Sequence, residues 1–250
     1  MSFKSLIQDL RGVRISSTSN SQSTKALLID QISQPIDGDV KKLLYKYAKE
    51  NDFIQKFKNV VIGEISNFTE KKSVTHFKYK ERIEESFIAD QTEIIALADK
   101  IKKNYKRVFI FSIGGSNLGP ALMNDIFKKD DFNINFITGS DPDEYSNIKI
   151  QDSDALVISS KSFGTLETLS SYKELCGNDF FEQTYAVTAD KIKAQDFGVH
   201  EKNIISFDSS TGGRFSIWSP INLALILLEG DQGYKDFLRG GKDMDAACLN

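Results

Sequence analysis

The pattern of apolar and polar residues changes near residue 106. Beyond it, short apolar runs alternate with longer segments of mixed character. The runs are nearly continuous in hydrophobicity, which is typical of strands buried on both faces. We therefore predict strands at residues 108–111, 134–137, 155–158, 185–187 and 204–207.

The segments between these runs are long enough for helices, as at residues 118–129 and 166–176. Alternating strands and helices indicate βαβ units and therefore an α/β fold with a doubly wound parallel sheet. Ligands bind such sheets beyond the carboxyl ends of the strands. We therefore look for chemistry in the loops that follow the strands.

The region before residue 106 has helical patterns and one polar segment. Residues 39–59 carry apolar side chains at helical spacing, with Asp39 as the expected N-cap. Asp90-Gln-Thr-Glu93 fits a capping box that would start a second helix. Residues 16–24 are polar and of low complexity, which predicts a loop.

Composition limits the classes of function. Hydrophobic residues make up 40% and charged residues 27% of the 250 residues, which is typical of a globular protein. The net charge of −3 argues against a nucleic-acid partner but allows a small anionic substrate. Two cysteines, no signal-like segment at residues 1–12 and no long apolar run together predict a cytoplasmic protein without a membrane partner.

The first predicted strand ends in Ile113-Gly-Gly-Ser-Asn-Leu-Gly-Pro120. Paired glycines let the backbone approach a ligand closely, and Ser116 offers a hydroxyl at a helix N-terminus. The alternative is a tight strand-to-helix turn with Pro120 in the first helical turn.

The third predicted strand ends in Ser159-Ser-Lys-Ser-Phe-Gly-Thr165. Hydroxyl donors at the start of a helix, together with unpaired backbone N–H groups, form a phosphate site. The alternative is that Thr165 or Ser162 only caps the helix. A nucleotide P-loop is disfavoured because its glycine–lysine spacing does not occur.

The last predicted strand runs into Asp208-Ser-Ser-Thr-Gly-Gly-Arg-Phe-Ser-Ile-Trp-Ser219. Two glycines before Arg214 would let the chain turn sharply and direct a permanently charged guanidinium into the cleft. The alternatives are a surface arginine in a turn and, for Trp218, a place in the core.

These three segments resemble glucose-6-phosphate isomerases, in that family's order. Two further stretches extend the resemblance: Asn67-Phe-Thr-Glu-Lys-Lys-Ser-Val-Thr-His76 and Phe237-Leu-Arg-Gly-Gly-Lys-Asp-Met-Asp245. The resemblance implies a five-stranded sugar-isomerase (SIS) domain at residues 86–250, preceded by a helical arm at residues 1–85, with the second SIS domain absent. It also implies isomerisation of glucose 6-phosphate and fructose 6-phosphate, no cofactor or metal, and a homodimer in the complete protein.

The family pattern also implies roles for individual residues. Arg214 would stabilise the enediolate intermediate, as the catalytic residue of this chain. The remaining positions would contact the phosphate or the sugar: Gly115, Ser116, Ser160, Lys161 (through its backbone), Ser162 and Thr165.

Some positions depart from the family. Lys72 replaces the usual arginine and Lys242 the usual histidine. The family's base glutamate, ring-opening histidine and C-terminal lysine have no counterpart before Asn250. Glu167, His76 and His200 are weak candidates to replace the base. We therefore expect the 250-residue chain to be an inactive N-terminal part of an isomerase. A non-catalytic sugar-phosphate-binding module and another SIS enzyme, such as an aminosugar-phosphate isomerase, are the alternatives.

Overall fold

The computed structural model describes residues 1–12, 21–23, 28–30, 38–66, 71–81, 85–177 and 179–249. These residues form two compact units. One comprises Met1–Ser73 with Gly241–Asn250, and the other comprises Val74–Gly240. The domain division between residues 85 and 86 stays a prediction.

The first unit contains helices and a small antiparallel ribbon. Its elements are α1 (Phe3–Arg11), β1 (Ser21–Ser23), β2 (Leu28–Asp30), α2 (Gly38–Glu50) and α3 (Phe53–Val61). The Ser2 side chain caps α1 by accepting a hydrogen bond from the Ser5 backbone N–H at 3.1 Å.

Two sequence predictions in this unit were wrong. The helix predicted over residues 39–59 is two helices, because Asp52 has a left-handed φ of 50° that a continuous right-handed helix cannot contain. Helix α2 begins at Gly38, so Asp39 lies in its first turn and not at its N-cap. Within the polar segment 16–24, residues 21–23 form β1, and the other residues of that segment lie outside the described part of the chain.

The second unit contains a parallel sheet of five strands, as predicted. The strands are β3 (Arg107–Phe111), β4 (Asn133–Ile137), β5 (Asp154–Ser159), β6 (Thr184–Thr188) and β7 (Ile204–Ser206), in the spatial order β4-β3-β5-β6-β7. Each strand overlaps one of the apolar runs in the sequence.

Helices cover both faces of the sheet. A short helix, α4 (His76–Glu81), precedes them and packs on the first of them. The covering helices are α5 (Glu85–Asn104), α6 (Gly115–Phe127), α7 (Leu166–Cys176), α8 (Lys191–Phe197) and α9 (Leu223–Leu249), the last with a kink at Gly230. Val108 and Ile110 of β3 lie in one hydrophobic cluster, whereas Phe109 and Phe111 lie in the other. This division explains the continuous apolar runs and confirms the doubly wound fold.

The sequence also misplaced two helix starts. Helix α5 begins at Glu85, so Asp90 lies inside it and does not form a capping box. Helix α6 begins at Gly115 and not at residue 118, which places Pro120 in the second turn. In the part of the chain that the structure describes, no helix combines the length and the apolar character needed to cross a membrane.

Candidate functional site

The three motif loops follow β3, β5 and β7, so all three lie at the carboxyl end of the parallel sheet. The chain passes from β3 to β4 on one side and then to β5 on the other side of β3. Loops that leave neighbouring strands in opposite directions open a crevice, which is where ligands bind in such sheets. The glycine turn after β3 and the hydroxyl-rich loop after β5 flank this switch point.

The glycine turn places Ser116 at the start of α6, as predicted. Gly114 precedes the helix with φ 58° and ψ −126°, a conformation that favours glycine, and no side chain caps α6. Asn117 supports the turn by donating a buried hydrogen bond to the Ser112 hydroxyl at 3.1 Å. The first backbone N–H groups of α6 therefore face the crevice end of the sheet without a capping side chain.

The glycine turn contacts the loop after β7, across the end of the sheet. A β-carbon at Gly115 would overlap the carbonyl group of Gly213 and lie 3.1 Å from the backbone nitrogen of Arg214. The Ser216 hydroxyl donates to the carbonyl of Gly213 at 2.7 Å and to that of Gly115 at 3.1 Å. The structure thus brings two predicted site positions, Gly115 and Arg214, together.

Ser216 was missed as a supporting residue. It follows Gly213 by three positions, a spacing at which a serine hydroxyl can bond back to a carbonyl within a turn. That spacing was a usable local signal, but the bond to Gly115 depends on the tertiary fold.

The loop at residues 160–165 brings two predicted hydroxyls together. Ser160 Oγ and Thr165 Oγ1 are 3.1 Å apart. Thr165 occupies the N-cap position of α7, yet its side chain makes no capping hydrogen bond. The alternative in which Thr165 only caps the helix is therefore not observed. The positive end of the α7 dipole and its first N–H groups are left uncapped by side chains.

The backbone of this loop is held by β6 and the core. The Lys161 carbonyl accepts hydrogen bonds from Ala189 N at 2.9 Å and from Thr188 Oγ1 at 3.2 Å. Phe163 has a left-handed φ of 45°, and its buried ring packs edge-on against Phe197 with centroids 5.7 Å apart. The sequence analysis did not identify Thr188. This residue ends β6, and its hydroxyl fixes the loop at Lys161.

Two buried hydroxyls adjoin the same loop. Ser159 is 2% exposed and Thr168 is fully buried, and neither hydroxyl has a hydrogen-bond partner among the described residues. Buried polar groups usually have partners, since leaving one unpaired costs about 1–3 kcal/mol. These two hydroxyls therefore add unused hydrogen-bonding capacity at both ends of the loop.

Arg214 lies in a short 3-10 helix, Gly213–Trp218, that follows the glycine pair. Its side chain is exposed, and no carboxylate of the described residues lies within ion-pair distance of it. Arg107 is different, because its guanidinium pairs with Asp154 at 2.6 Å. The Arg214 guanidinium therefore keeps its full donor capacity for an anion.

The third loop also contacts α4 and the residue that precedes it. The Ser210 hydroxyl donates to Thr75 Oγ1 at 2.8 Å, and the Thr211 hydroxyl donates to the buried Tyr79 hydroxyl at 3.4 Å. Burial raises the pKa of Asp90 on α5 to about 7, with smaller contributions from the charges of Glu93 and Asp208. The negative charge of Asp208 in the loop thus acts on Asp90 of α5.

The three candidate replacement bases differ in position. Burial, followed by the charge of Lys80, lowers the pKa of His76 to about 4, and its ring stacks on Phe215. His200 precedes β7, at the amino end of the sheet, and bonds Glu182 at 2.9 Å. Glu167 is exposed in the first turn of α7. Only Glu167 and His76 therefore lie near the motif loops.

The structure describes the upstream motif only in part and places Trp218 beside the core. Residues 67–70 of the upstream motif lie outside the described residues. Trp218 is partly buried and stacks on Phe237 with centroids 4.6 Å apart, which agrees with the predicted core position. Within the described ranges, no three histidine, cysteine, aspartate or glutamate side chains gather into a metal site.

Comparison with known proteins gives a consistent result. A family model described as "Phosphoglucose isomerase" matches residues 30–111 and 101–250. The glucose-6-phosphate isomerase of Shewanella putrefaciens is 28% identical over 260 residues, covering 90% of this chain and 48% of the relative. That of Pseudoalteromonas atlantica is 30% identical over 262 residues, covering 90% and 47%.

A solved structure agrees with the fold. The crystal structure of a glucose-6-phosphate isomerase from Chlamydia trachomatis superposes with a TM-score of 0.73 at 21% identity. The match covers all of this chain and 52% of that one. The chain thus spans about half the length of the proteins it matches.

Proposed function

Because this chain belongs to the phosphoglucose isomerase family, we propose that it forms the sugar-phosphate-binding half of a glucose-6-phosphate isomerase. The proposed reaction interconverts glucose 6-phosphate, an aldose, and fructose 6-phosphate, a ketose. The contact between Gly115 and Gly213 carries the proposal, since it sets Arg214 beside the glycine turn at the switch point of the sheet.

The proposed phosphate site is the loop at residues 160–165. The hydroxyls of Ser160, Ser162 and Thr165 would donate to the phosphate oxygens, together with the backbone N–H of Lys161. The uncapped start of α7 supports this assignment, because a phosphate there would meet unpaired N–H groups and the positive end of the helix dipole.

The proposed sugar site lies at the glycine turn. Gly115 and Ser116 would contact the sugar phosphate from the first turn of α6. The packing of Gly115 against Gly213 supports this assignment, because it places the glycine turn beside the loop that carries Arg214.

Arg214 is the proposed catalytic residue of this chain. Isomerisation moves a proton between neighbouring carbons, and negative charge develops on the enediolate oxygens as the proton leaves. A fixed guanidinium beside those oxygens stabilises that charge more in the transition state than in the ground state. Its exposure and its lack of an ion pair in the described chain leave its donors available for this purpose.

We assign the proton-transferring base to the complete protein and not to this chain. The transfer requires a positioned acceptor, and a general base contributes about 10²–10⁴-fold. Glu167 is exposed in the first turn of α7, and the His76 ring is buried and stacked on Phe215. The curated relatives are about twice as long, so the missing half of such a protein would supply the base.

Calorimetric titration of the 250-residue chain with glucose 6-phosphate tests the binding site. Replacing Ser160 and Thr165 together by alanine should weaken binding by about 1–3 kcal/mol, through lost donors to a charged group. Ser170→Ala is the matched control, because Ser170 is exposed on the same α7. Equal affinities for the wild type and the double variant would overturn the phosphate assignment.

A coupled assay for fructose 6-phosphate conversion tests the division of labour. The 250-residue chain should bind the sugar phosphate without turnover, and a protein of the relatives' full length should turn it over. Binding without turnover in both would instead favour a non-catalytic binding module. Rapid turnover by the short chain would show that it contains the base, with Glu167 as the first residue to replace.

The predicted partners and location complete the proposal. We propose a homodimer for the complete protein, a cytoplasmic location, and no nucleic-acid or membrane partner. The net charge of −3 supports the absence of a nucleic-acid partner, and the two free cysteines, Cys176 and Cys248, support the cytoplasmic location. Light scattering of the complete protein tests the dimer by its mass.

A further inference from the structure

Helix α4 contacts the 3-10 helix that carries Arg214 through two aromatic contacts. The His76 ring stacks on Phe215 with centroids 4.2 Å apart and planes inclined by 19°. The Lys80 ammonium lies 4.7 Å from the centroid of the Trp218 ring. His76 and Lys80 are four residues apart, so both side chains lie on the same face of α4.

Phe77 completes the cluster. Its ring lies 4.2 Å from that of His76, and the Lys80 ammonium lies 4.9 Å from its centroid. His76 is 6% exposed and Lys80 is 7% exposed, whereas Phe215 is 43% exposed. In the stacked pair, His76 is thus the buried ring and Phe215 the more exposed one.

Arg214 lies between two fixed neighbours. On one side, Gly213 packs against Gly115 and its carbonyl accepts from Ser216. On the other side, Phe215 is stacked on His76. A backbone held at both adjacent residues has little freedom to change the direction in which the intervening side chain leaves it.

We propose that His76 is a positioning residue for Arg214, acting through the stack on Phe215. This inference rests on the proposed function, in which Arg214 meets the developing enediolate. Loss of the stack would remove the α4 contact next to Arg214, leaving the Lys80–Trp218 contact further along the 3-10 helix, and would let the guanidinium move from its place. Movement of about 1 Å is enough to weaken such an interaction strongly.

The chemistry of the ring favours stacking over hydrogen bonding as the source of this effect. His76 Nδ1 is buried and has no hydrogen-bond partner among the described residues. The ring is neutral near pH 7, because burial and the charge of Lys80 lower its pKa to about 4. A neutral flat ring of another kind should therefore replace it.

The test compares His76→Ala, which removes the ring, with His76→Phe, which keeps a stacking ring and removes both nitrogens. His200→Ala is the control for loss of a histidine, because His200 is exposed and lies at the other end of the sheet. The probes are inorganic phosphate and 5-phosphoarabinonate, whose carboxylate stands in for the enediolate oxygens. Calorimetry measures the affinity of each variant of the 250-residue chain for both probes.

For 5-phosphoarabinonate, His76→Ala should weaken binding about 5–20-fold, approaching the effect of Arg214→Ala, while His76→Phe and His200→Ala stay within about twofold of the wild type. Affinity for inorganic phosphate should not change, since the loop at residues 160–165 does not contain the stack. Equal losses with alanine and phenylalanine, or an equal loss for both probes, would overturn the positioning role.

Two further outcomes separate the possible failures. If the wild type binds neither probe, the proposed function fails, and the positioning role falls with it. If His76→Ala does not fold, Phe215→Leu removes the stack from the other side, and it should weaken 5-phosphoarabinonate binding alone. An unchanged affinity in Phe215→Leu would overturn the inference while leaving the proposed function intact.

Discussion

The backbone of Gly115 packs directly against the carbonyl group of Gly213, so that a β-carbon at Gly115 would overlap it. The two residues belong to motifs that follow different strands, β3 and β7. Their contact joins the start of α6 to the turn that carries Arg214, and it depends on the absence of a side chain at Gly115.

Gly115→Ala should therefore destabilise the fold and, under the proposed function, weaken sugar-phosphate binding. Forcing a methyl group against fixed backbone costs about 1–3 kcal/mol. Gly213→Ala is the matched control, because a β-carbon at Gly213 meets nothing within 4 Å, and its stability should stay within about 0.5 kcal/mol of the wild type. Urea denaturation measures the stability of both variants. Equal stabilities would show that the backbone of Gly115 does not pack tightly against Gly213.

Arg214→Ala should leave the fold intact and impair catalysis in the complete protein. The exposed side chain makes no ion pair in the described chain, so its removal should change stability by less than about 0.5 kcal/mol. Under the proposed function, kcat of the complete protein should fall by an amount equivalent to about 2–4 kcal/mol, because the negative charge that the guanidinium would stabilise appears in the transition state. An unchanged kcat would leave the Gly212-Gly-Arg214 segment with a structural role only.

Asp90 should make the protein less stable as the pH rises from about 4 to about 7. Burial, with the charges of Glu93 and Asp208, raises its pKa in the folded state to about 7, so the folded protein binds more protons than the unfolded chain in this range. Asp90→Asn should flatten this part of the stability profile. Asp99→Asn, at an exposed position of α5, should not. Urea denaturation at several pH values would refute the assignment if the two variants gave the same slope.

His76 should have the opposite effect on the acid side. Its folded-state pKa of about 4 lies below the ordinary value of 6.5, so the unfolded chain binds the proton first as the pH falls. Stability present above pH 6.5 should be lost between pH 6.5 and 4, by about 2–3 kcal/mol. His76→Phe should remove this loss, and a profile unchanged from the wild type would show that His76 does not titrate in this way.

The strands were predictable because burial on both faces requires nearly continuous apolar residues. The helices predicted at residues 118–129 and 166–176 followed from the length of the segments between the strands. Val108 and Phe109 are both apolar because they face different hydrophobic clusters on opposite sides of β3. The hydroxyl-rich loop was predictable for a similar reason, since its polar residues follow directly after a buried strand.

The helix starts were less predictable, because capping signals are local and weak. Asp90-Gln-Thr-Glu93 has the pattern of a capping box, but α5 begins at Glu85. Gln91 is instead buried and donates to the Tyr79 carbonyl at 2.7 Å. A tertiary hydrogen bond of this kind has no signature in the surrounding sequence.

Contacts between motifs were not predictable from single segments. The sequence gives reasons for glycine at residue 115 and for arginine at residue 214, but none for their proximity. The stack of His76 on Phe215 is likewise visible only once α4 and the loop after β7 are in place. A resemblance to a family supplies roles for residues, whereas the structure supplies the partners through which they would act.

The hydroxyl of Thr165 turns toward Ser160 and leaves the start of α7 without a side-chain cap. Under the proposed function, the phosphate group of the substrate accepts hydrogen bonds from the first N–H groups of α7, as a capping side chain does in other helices. Binding of the anion and ordering of the first turn of α7 are then thermodynamically linked, because each favours the other. The melting temperature of the protein should accordingly rise with the concentration of its ligand.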